Sequence, residues 1–592
     1  MRRTAVFLLA WFAAVLLHAQ IPFVKGHVVD QRLTEMQMEA DSVNLLFGNT
    51  QQKVAKSDVE VAFGQVSIME AKGWLESAYV TFAPYPLAAG YHVYVRGGQT
   101  NDFKRIDAEL VRNYGTYGRA DVLGLGAADD YQLRIVPVDV NGTEMTTAAA
   151  VTAPISVLPY DRSGFAHLNH EEGVGAYTNS GVLKDEARVV YVTKDNAKSV
   201  SLDIVSDKKG TKTTTYTGLQ QIIYGYQKGY DRRPLCIRLI GTISAADCDE
   251  FLSKAEGLQV KGASSYQPMN ITIEGIGDDA TLRGFGLLVR NCASVELRNF
   301  ANMLCMDDAV SIDTKNERIW VHHLDFFYGQ PGSDADQKKG DGTVDMKGDS
   351  RLITISYNHF WDTGKSSLCG MKSETGPNYI TYHHNWFDHS DSRHARVRTM
   401  SVHMYNNFFD NVAKYGVGAT TGASIFMENN YFLATKKPIL SSRQGTDALG
   451  NGTFSNETGG MVKACGNYFD RSAKNFSYYT QDNPASTGYD AYETATRQDT
   501  VPSTETAKVG GTPYNNFDTD ATLMYTYTAD QAEDVPALVT GPYGAGRMNH
   551  GDLTHTFADN TGSDDVDSAI DQQLKDKLQG YASMLVGFFE QP

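Results

Sequence analysis

The sequence is short of positive charge, cysteine and proline, and its one strongly apolar leader-like stretch lies at the start. Lys and Arg number 53 against 70 Asp and Glu, a net charge of -17. That balance excludes a general nucleic-acid binder, which needs a basic surface. A polyanionic partner is also disfavoured, unless bound cations or a local basic patch reverse the field. Six cysteines are present and none is spaced as CxxC, which argues against a zinc site. Hydrophobic residues make up 41% and charged residues 21%, so the chain is neither disordered nor a multi-span membrane protein. Proline is scarce at 17, whereas glycine reaches 54 and tyrosine 32. That bias leans toward a β-rich, turn-rich fold.

Residues 1–19 read as a secretion leader. Arg2 and Arg3 form its basic end, Ala5 to Leu17 its apolar stretch, and Ala19 offers a small residue for cleavage. The apolar stretch is shorter than the roughly 20 residues that a membrane span needs. The expected protein is therefore secreted (periplasmic, cell-surface or extracellular), with no membrane span and no nucleic-acid partner. Export permits disulfides, and Cys236–Cys248 or Cys292–Cys305 are candidate pairs. Cys369 and Cys465 sit in apolar, strand-like contexts and read as core thiols.

Segment 20–66 gives no assignment. From 67 to 158, Trp74, SAYVTF, YHVYVRG and YQLRIVPVDVNG read as short strands between Gly, Asp and Asn turns. The early Trp, the YHVYV strand and the Tyr131-led strand resemble a fibronectin type III domain. The expectation is a small β-sandwich without catalytic groups, acting as a spacer or docking module.

Residues 165–548 follow another regime. ITISYNHF, ITYHHNWF, VHMYNNFF, IFMENNYF and VKACGNYF align with one another. Each places an asparagine five residues after its first apolar position: Asn358, Asn385, Asn407, Asn430 and Asn467. Each then has Phe360, Phe387, Phe409, Phe432 or Phe469 two residues later. A period of about 22 residues, lengthened by insertions, is too short for a propeller blade and suits one coil of a parallel β-helix. Stacked coils would bury a continuous core, with Phe above Phe and an Asn hydrogen-bond ladder at a turn. CIRLIGTI, NITIEGI, SVELRNF and RIWVHHLDFF fit earlier coils.

Solenoid ends need caps. TGLQQIIYGYQ is a candidate capping helix with Thr217 as its N-cap. Residues 470–515 read as a long polar loop. In the C-terminal segment 549–592, Asp567 precedes a helical stripe of Ile570, Leu574, Leu578, Tyr581 and Leu585, which is expected to pack on the protein.

Chemistry concentrates in three patches: DDAVSI with Asp307 and Asp308, GDGTVDMKG with Asp341, Asp345 and Lys347, and SDSRHARVR with Arg393, Arg396 and Arg398. Lys365 lies between the last two. Successive coils stack about 4.8 Å apart, so their side chains meet on one face. Gathered carboxylates repel unless a cation sits among them, and oxygen ligands favour a hard ion such as calcium. His322-His323 and His383-His384 could suggest another metal site. Adjacent strand residues point to opposite faces, however, so these read as scaffold or groove lining.

Taken together, DDAVSI, RIWVHH, DGTVDMKG, ITISYNHFWDTGKSSL and ITYHHNWFDHSDSRHARVR resemble polysaccharide lyase family 1, the pectate lyases. GAYTNSGVLKDEARVVYVTKDN and IRLIGTI resemble that family's entry region. The resemblance spans about 380 residues. It implies an all-β fold, a right-handed parallel β-helix, preceded here by the β-sandwich. It implies calcium-dependent β-elimination of polygalacturonate, with calcium ligands at Asp308, Asp341 and Asp345 and a further ligand at Asp307. It implies Arg393 as general base and contacts to substrate carboxylates from Lys365, Arg398 and Lys347. Lys365 also reads as a catalytic cation, able to stabilise the enolate-like oxygens as charge develops. WVHH stands where the family usually has WxDH, and Asp341 stands where it often has Glu. The chain is expected to act as a monomer on pectin.

Arginine is ordinarily a fixed cation, so a proton-accepting Arg393 requires neighbouring positive charge. Three rival readings remain at this point. A polygalacturonase would need an acid and a base carboxylate rather than an Arg/Lys cluster. A pectin lyase would not need the carboxylate trio. A silent glycan-binding solenoid would not need Arg393 and Lys365 together.

Overall fold

The computed structural model describes residues 64–331, 338–371, 373–440, 457–472, 479–480, 491–507, 510–558 and 570–590. The expected leader, most of segment 20–66 and Asp567 lie outside the described residues. Three long parallel sheets of twelve, nine and eight strands run side by side. Each coil contributes one short strand to each sheet in turn, which makes the chain a parallel β-helix preceded by antiparallel sheets.

The repeat read from sequence supplies the first two sheets. Ile353, Ile380, Val402, Ile425 and Val462 lie in register on successive strands of the first sheet, all pointing into the core. In the repeated coils the first-sheet strand is followed by a residue with positive φ, namely Tyr357, His384, Asn406 or Asn429, and the ladder asparagine comes next. Asn358 donates to Asn385 at 3.0 Å, Asn385 to Asn407 at 2.9 Å, Asn407 to Asn430 at 3.0 Å and Asn430 to Asn467 at 2.9 Å. The second sheet carries the aromatic stack, with ring centroids 4.3–5.1 Å apart from Phe360 through Phe469. Phe326 extends it by one coil at 5.0 Å.

A helix, Leu219–Tyr226, closes one end of the solenoid and buries Leu219, Ile222, Ile223 and Tyr226 in the core. Its cap differs from the expectation. Thr217 ends a strand, Thr213–Thr217, and Gly218 is the N-cap residue. The carboxylate of Asp249 accepts from Gln220 N and Gln221 N at 2.9 and 3.0 Å instead. A side chain distant in sequence thus does what a local hydroxyl was expected to do. Part of the expected 470–515 loop is also structured. Ala491–Glu493 extends the first sheet, and Val501, Tyr514 and Phe517 pack over its outer face with Phe426 and Tyr405.

All six cysteines are free thiols. Cys248 packs in the solenoid core, whereas Cys236 faces outward beside Tyr177 and Ala176. The coil wall therefore separates that candidate pair. Cys292 donates to the carbonyls of Val260 and Arg290, away from Cys305.

Residues 68–157 form two antiparallel sheets, as expected of a β-sandwich. They do not stand apart from the solenoid. Arg112 donates to Ile276 O at 3.1 Å, Tyr114 to Asp279 at 3.0 Å and Arg119 to Asp278 at 2.9 Å. The C-terminus returns to them. Helix Gln572–Gly580, N-capped by Asp571, packs Leu574 and Leu578 on Tyr328 and Trp361. Strand Gly587–Phe588 then pairs with Val111–Asn113, and Phe589 enters the sandwich core.

Candidate active site

The eight-stranded sheet positions the candidate residues. Its consecutive strands Val310–Ile312, Val344–Met346, Lys365–Cys369 and Ser392–Val397 come from four successive coils. Strand alternation turns Val344 and Met346 into the core and Asp345 outward. Asp307 and Asp308 sit in the turn before the first of these strands, Asp341 in the turn before the second. Lys365 opens the third strand and pairs with Ser392 in the fourth. Arg393 follows at φ 61°, and a bulge between Ser367 and Leu368 opposite His394 to Arg396 sets the spacing of the arginines.

The four aspartates converge. Single oxygens of Asp307, Asp308 and Asp341 all lie within 4.8 Å of one another. Asp345 joins through Asp308. A Cβ placed on Gly342 would lie 2.6 Å from Oδ1 of each of these two residues. Lys347 donates to Asp308 at 2.9 Å and lies 3.7 Å from Asp345, whose Oδ1 accepts from Leu368 N at 2.9 Å. Lys365 donates to Asp341 at 2.5 Å. For Arg393, no hydrogen bond or ion pair occurs among the described residues, although its charge acts on Asp345.

Crowding of like charge shows in the acidities. Burial, then repulsion by Asp308, pushes Asp345 up to about 7. The same two causes push Asp307 up to about 6. Burial opposes the charge of Lys347, but Asp345 and Asp308 outweigh it and hold the ammonium above its ordinary value. Oxygen separations up to 4.8 Å match ligands facing each other across a calcium ion, whose bonds are about 2.3–2.6 Å. The oxygen-only donors and the surplus of negative charge thus fit a hard divalent cation.

Arg398 is placed differently from the other cations. Its Nε donates to Glu457 Oε2 at 2.9 Å and a second nitrogen closes a fork on the same carboxylate. Arg396 lies 4.0 Å from Glu457. Nothing in the local sequence pointed to Glu457, which reaches the site from 59 residues beyond Arg398. The histidine pairs lie at the turn between the first two sheets. His383 and His384 face each other through Nδ1 atoms 3.0 Å apart, as do His322 and His323 at 2.9 Å. Positive φ at His323 and His384 breaks the alternation, so adjacent rings meet rather than diverge. His384 is held by Asp530 at 2.9 Å and His383 lies 3.1 Å from Ser163 O.

A model of the pectate lyase family matches residues 236–505. The chain is 32% identical over 260 residues to a pectate trisaccharide-lyase of Bacillus licheniformis, covering 43% of this chain and 72% of that one. The chain belongs to the pectate lyase family. It is a polysaccharide lyase. Pectate lyase 3 of Pectobacterium carotovorum is 27% identical over 306 residues, covering 49% of this chain and 78% of that one. Among solved structures, a pectate lyase of Bacillus sp. N165 in complex with trigalacturonate aligns with a TM-score of 0.43 and 21% identity, over 65% of this chain and 98% of that one. The family region of this lyase ends before the C-terminal helix and begins after the sandwich.

Proposed function

We propose that this lyase is a secreted enzyme that cleaves polygalacturonate by calcium-dependent β-elimination and releases 4,5-unsaturated oligogalacturonates. The observation that carries this reading is the meeting of four aspartates with Lys347, Lys365 and Arg393 on four successive coils. Asp308, Asp341 and Asp345, with Asp307, would hold the ion. When bound, calcium would neutralise the uronate carboxylate and draw electron density from the adjacent C5.

Arg393, acting as the neutral guanidine, takes the C5 proton and becomes guanidinium; the C5–H electrons form the C4=C5 double bond, and the C4–O bond breaks with its electron pair left on the departing oxygen, which takes a proton from water. Lys365 stabilises negative charge developing on the carboxylate as the proton leaves. Lys347 and Arg398 bind carboxylates of neighbouring sugars, Arg398 by exchanging Glu457 for a substrate carboxylate of the same shape. Residues 1–19 act as the export leader. The N-terminal sheets, fibronectin type III-like in their order of Trp74 and the YHVYV strand, supply none of these groups.

Ultraviolet absorbance of the unsaturated product tests the reading. With polygalacturonate and calcium the absorbance rises, and a chelator abolishes the rise. Cleavage that adds water and leaves no unsaturated end would instead indicate a hydrolase.

A further inference from the structure

In the corner between the second and third sheets, three successive coils turn toward the candidate site. The first turn carries Lys339 two residues before Asp341. The next carries Asp362 three residues before Lys365, and the next Asp391 two residues before Arg393. The ammonium of Lys339 donates to Asp362 Oδ1 at 2.5 Å and to Asp391 Oδ1 at 2.9 Å. All three side chains are out of solvent, at 1%, 8% and 2% exposure. One side chain therefore spans three coils, and each end of the cluster lies within three residues of a proposed site residue.

We infer that Lys339 is a positioning residue, whose ammonium fixes the three turns that deliver Asp341, Lys365 and Arg393. A buried ion pair is a poor way to gain stability, because desolvation offsets most of the attraction. It does fix geometry, since each carboxylate must sit within hydrogen-bond reach of one point. The flanking contacts agree. Gly329 N donates to Lys339 O at 2.9 Å, so the backbone of the lysine is itself anchored. Tyr328 donates its hydroxyl to Asp362 and accepts from Asp571 N at 3.1 Å, which ties the cluster to the C-terminal helix. Asp391 N donates to Thr363 O at 2.9 Å, linking the second and third turns. Backbone pairing of Gly342 with Lys365 and of Lys365 with Ser392 sets the coil register, and the ammonium sets where the turns stand within it.

The inference rests on the lyase reading of the site, and two isosteric changes separate its parts. Asp391→Asn removes one charge and frees only the turn before Arg393. The expected result is kcat lowered about tenfold with KM and calcium affinity little changed, because loss of alignment acts on the reacting geometry. Lys339→Met frees the Asp341 turn as well. Calcium affinity, read by isothermal titration calorimetry without substrate, should then weaken about tenfold, the scale seen when groups that orient metal ligands are lost. Lys339→Arg, which keeps the charge, should recover part of both. Should Lys339→Met fail to fold, the kcat of Asp391→Asn decides alone. If Asp391→Asn and a folded Lys339→Met lower only the melting temperature, with wild-type kcat and calcium affinity, the cluster is structural and the inference is overturned. Arg393→Ala is the control for the underlying reading. An active Arg393→Ala enzyme refutes the site itself, whereas an inactive one beside a fully active Asp391→Asn refutes only the positioning role.

Discussion

Arg393 and Glu274 carry charge in opposite settings. Arg393 stands at the site with its guanidinium untied among the described residues. If it only binds a carboxylate, Arg393→Lys keeps the attraction and the loss appears in KM. As the base, its replacement should lower kcat by at least about 10²-fold with KM little changed, which steady-state kinetics on polygalacturonate will show. Glu274 lies far along the solenoid, fully enclosed, between Arg238 on the preceding strand and Arg298 on the next. Burial alone would raise its pKa, but Arg298 and Arg238, with bonds from Tyr177 and Cys236, hold it down at about 2. An unfolded glutamate titrates near about 4.3. The folded value is the lower one, so the stabilisation is present above about pH 4.3 and is lost as pH falls toward 2. The difference corresponds to ~3 kcal/mol. Glu274→Gln should lower the urea midpoint at neutral pH and flatten the acid loss between about pH 4.3 and 2, as denaturant titrations across that range would record.

At the scale of the strand and turn, the site depends on close approach as much as on charge. Gly342 has a backbone conformation open to any residue, yet an added methyl would lie 2.6 Å from Oδ1 of both Asp308 and Asp345. Gly342→Ala should therefore leave the coil folded while spreading those carboxylates. Calcium affinity measured by calorimetry should fall by about tenfold or more, and an unchanged affinity would remove Asp308 and Asp345 from one shared cation site. The coil itself was legible in sequence because the Asn and Phe positions repeat with the physical period of the fold, and each repeats against a copy of itself. The three charged patches were legible because the strand period places Asp345 outward and consecutive coils align them. What could not be read came from partners distant in sequence. Asp249 caps a helix that begins 30 residues earlier, and Glu457 takes Arg398 from 59 residues away. Lys339 is one of two adjacent lysines, and no local pattern marks which of them is buried.

Across the whole molecule, the sandwich and solenoid are joined by charge and by the chain's own end. Arg112 and Arg119, both buried, share Asp121 within the sandwich while reaching Ile276 O and Asp278 of the solenoid. A spacer held by a flexible linker would not bury such groups at the junction. Phe589 completes the join. It sits 4% exposed in the sandwich core, with its ring 4.7 Å from Tyr91 and 6.2 Å from Phe82, after the preceding chain has crossed the solenoid at Arg283 and Ile240. Phe589→Ala removes a core aromatic, a loss of about 3–5 kcal/mol where the site does not collapse. If the two parts unfold as one cooperative unit, calorimetry should show a single transition displaced to lower temperature. Two transitions, only the smaller of them displaced, would mean that the solenoid is indifferent to the sandwich. Polygalacturonate cleavage below the transition should match wild type, because every proposed site residue lies between Asp307 and Arg398. The join would then serve stability alone, and the chemistry would stay with the four coils that carry it.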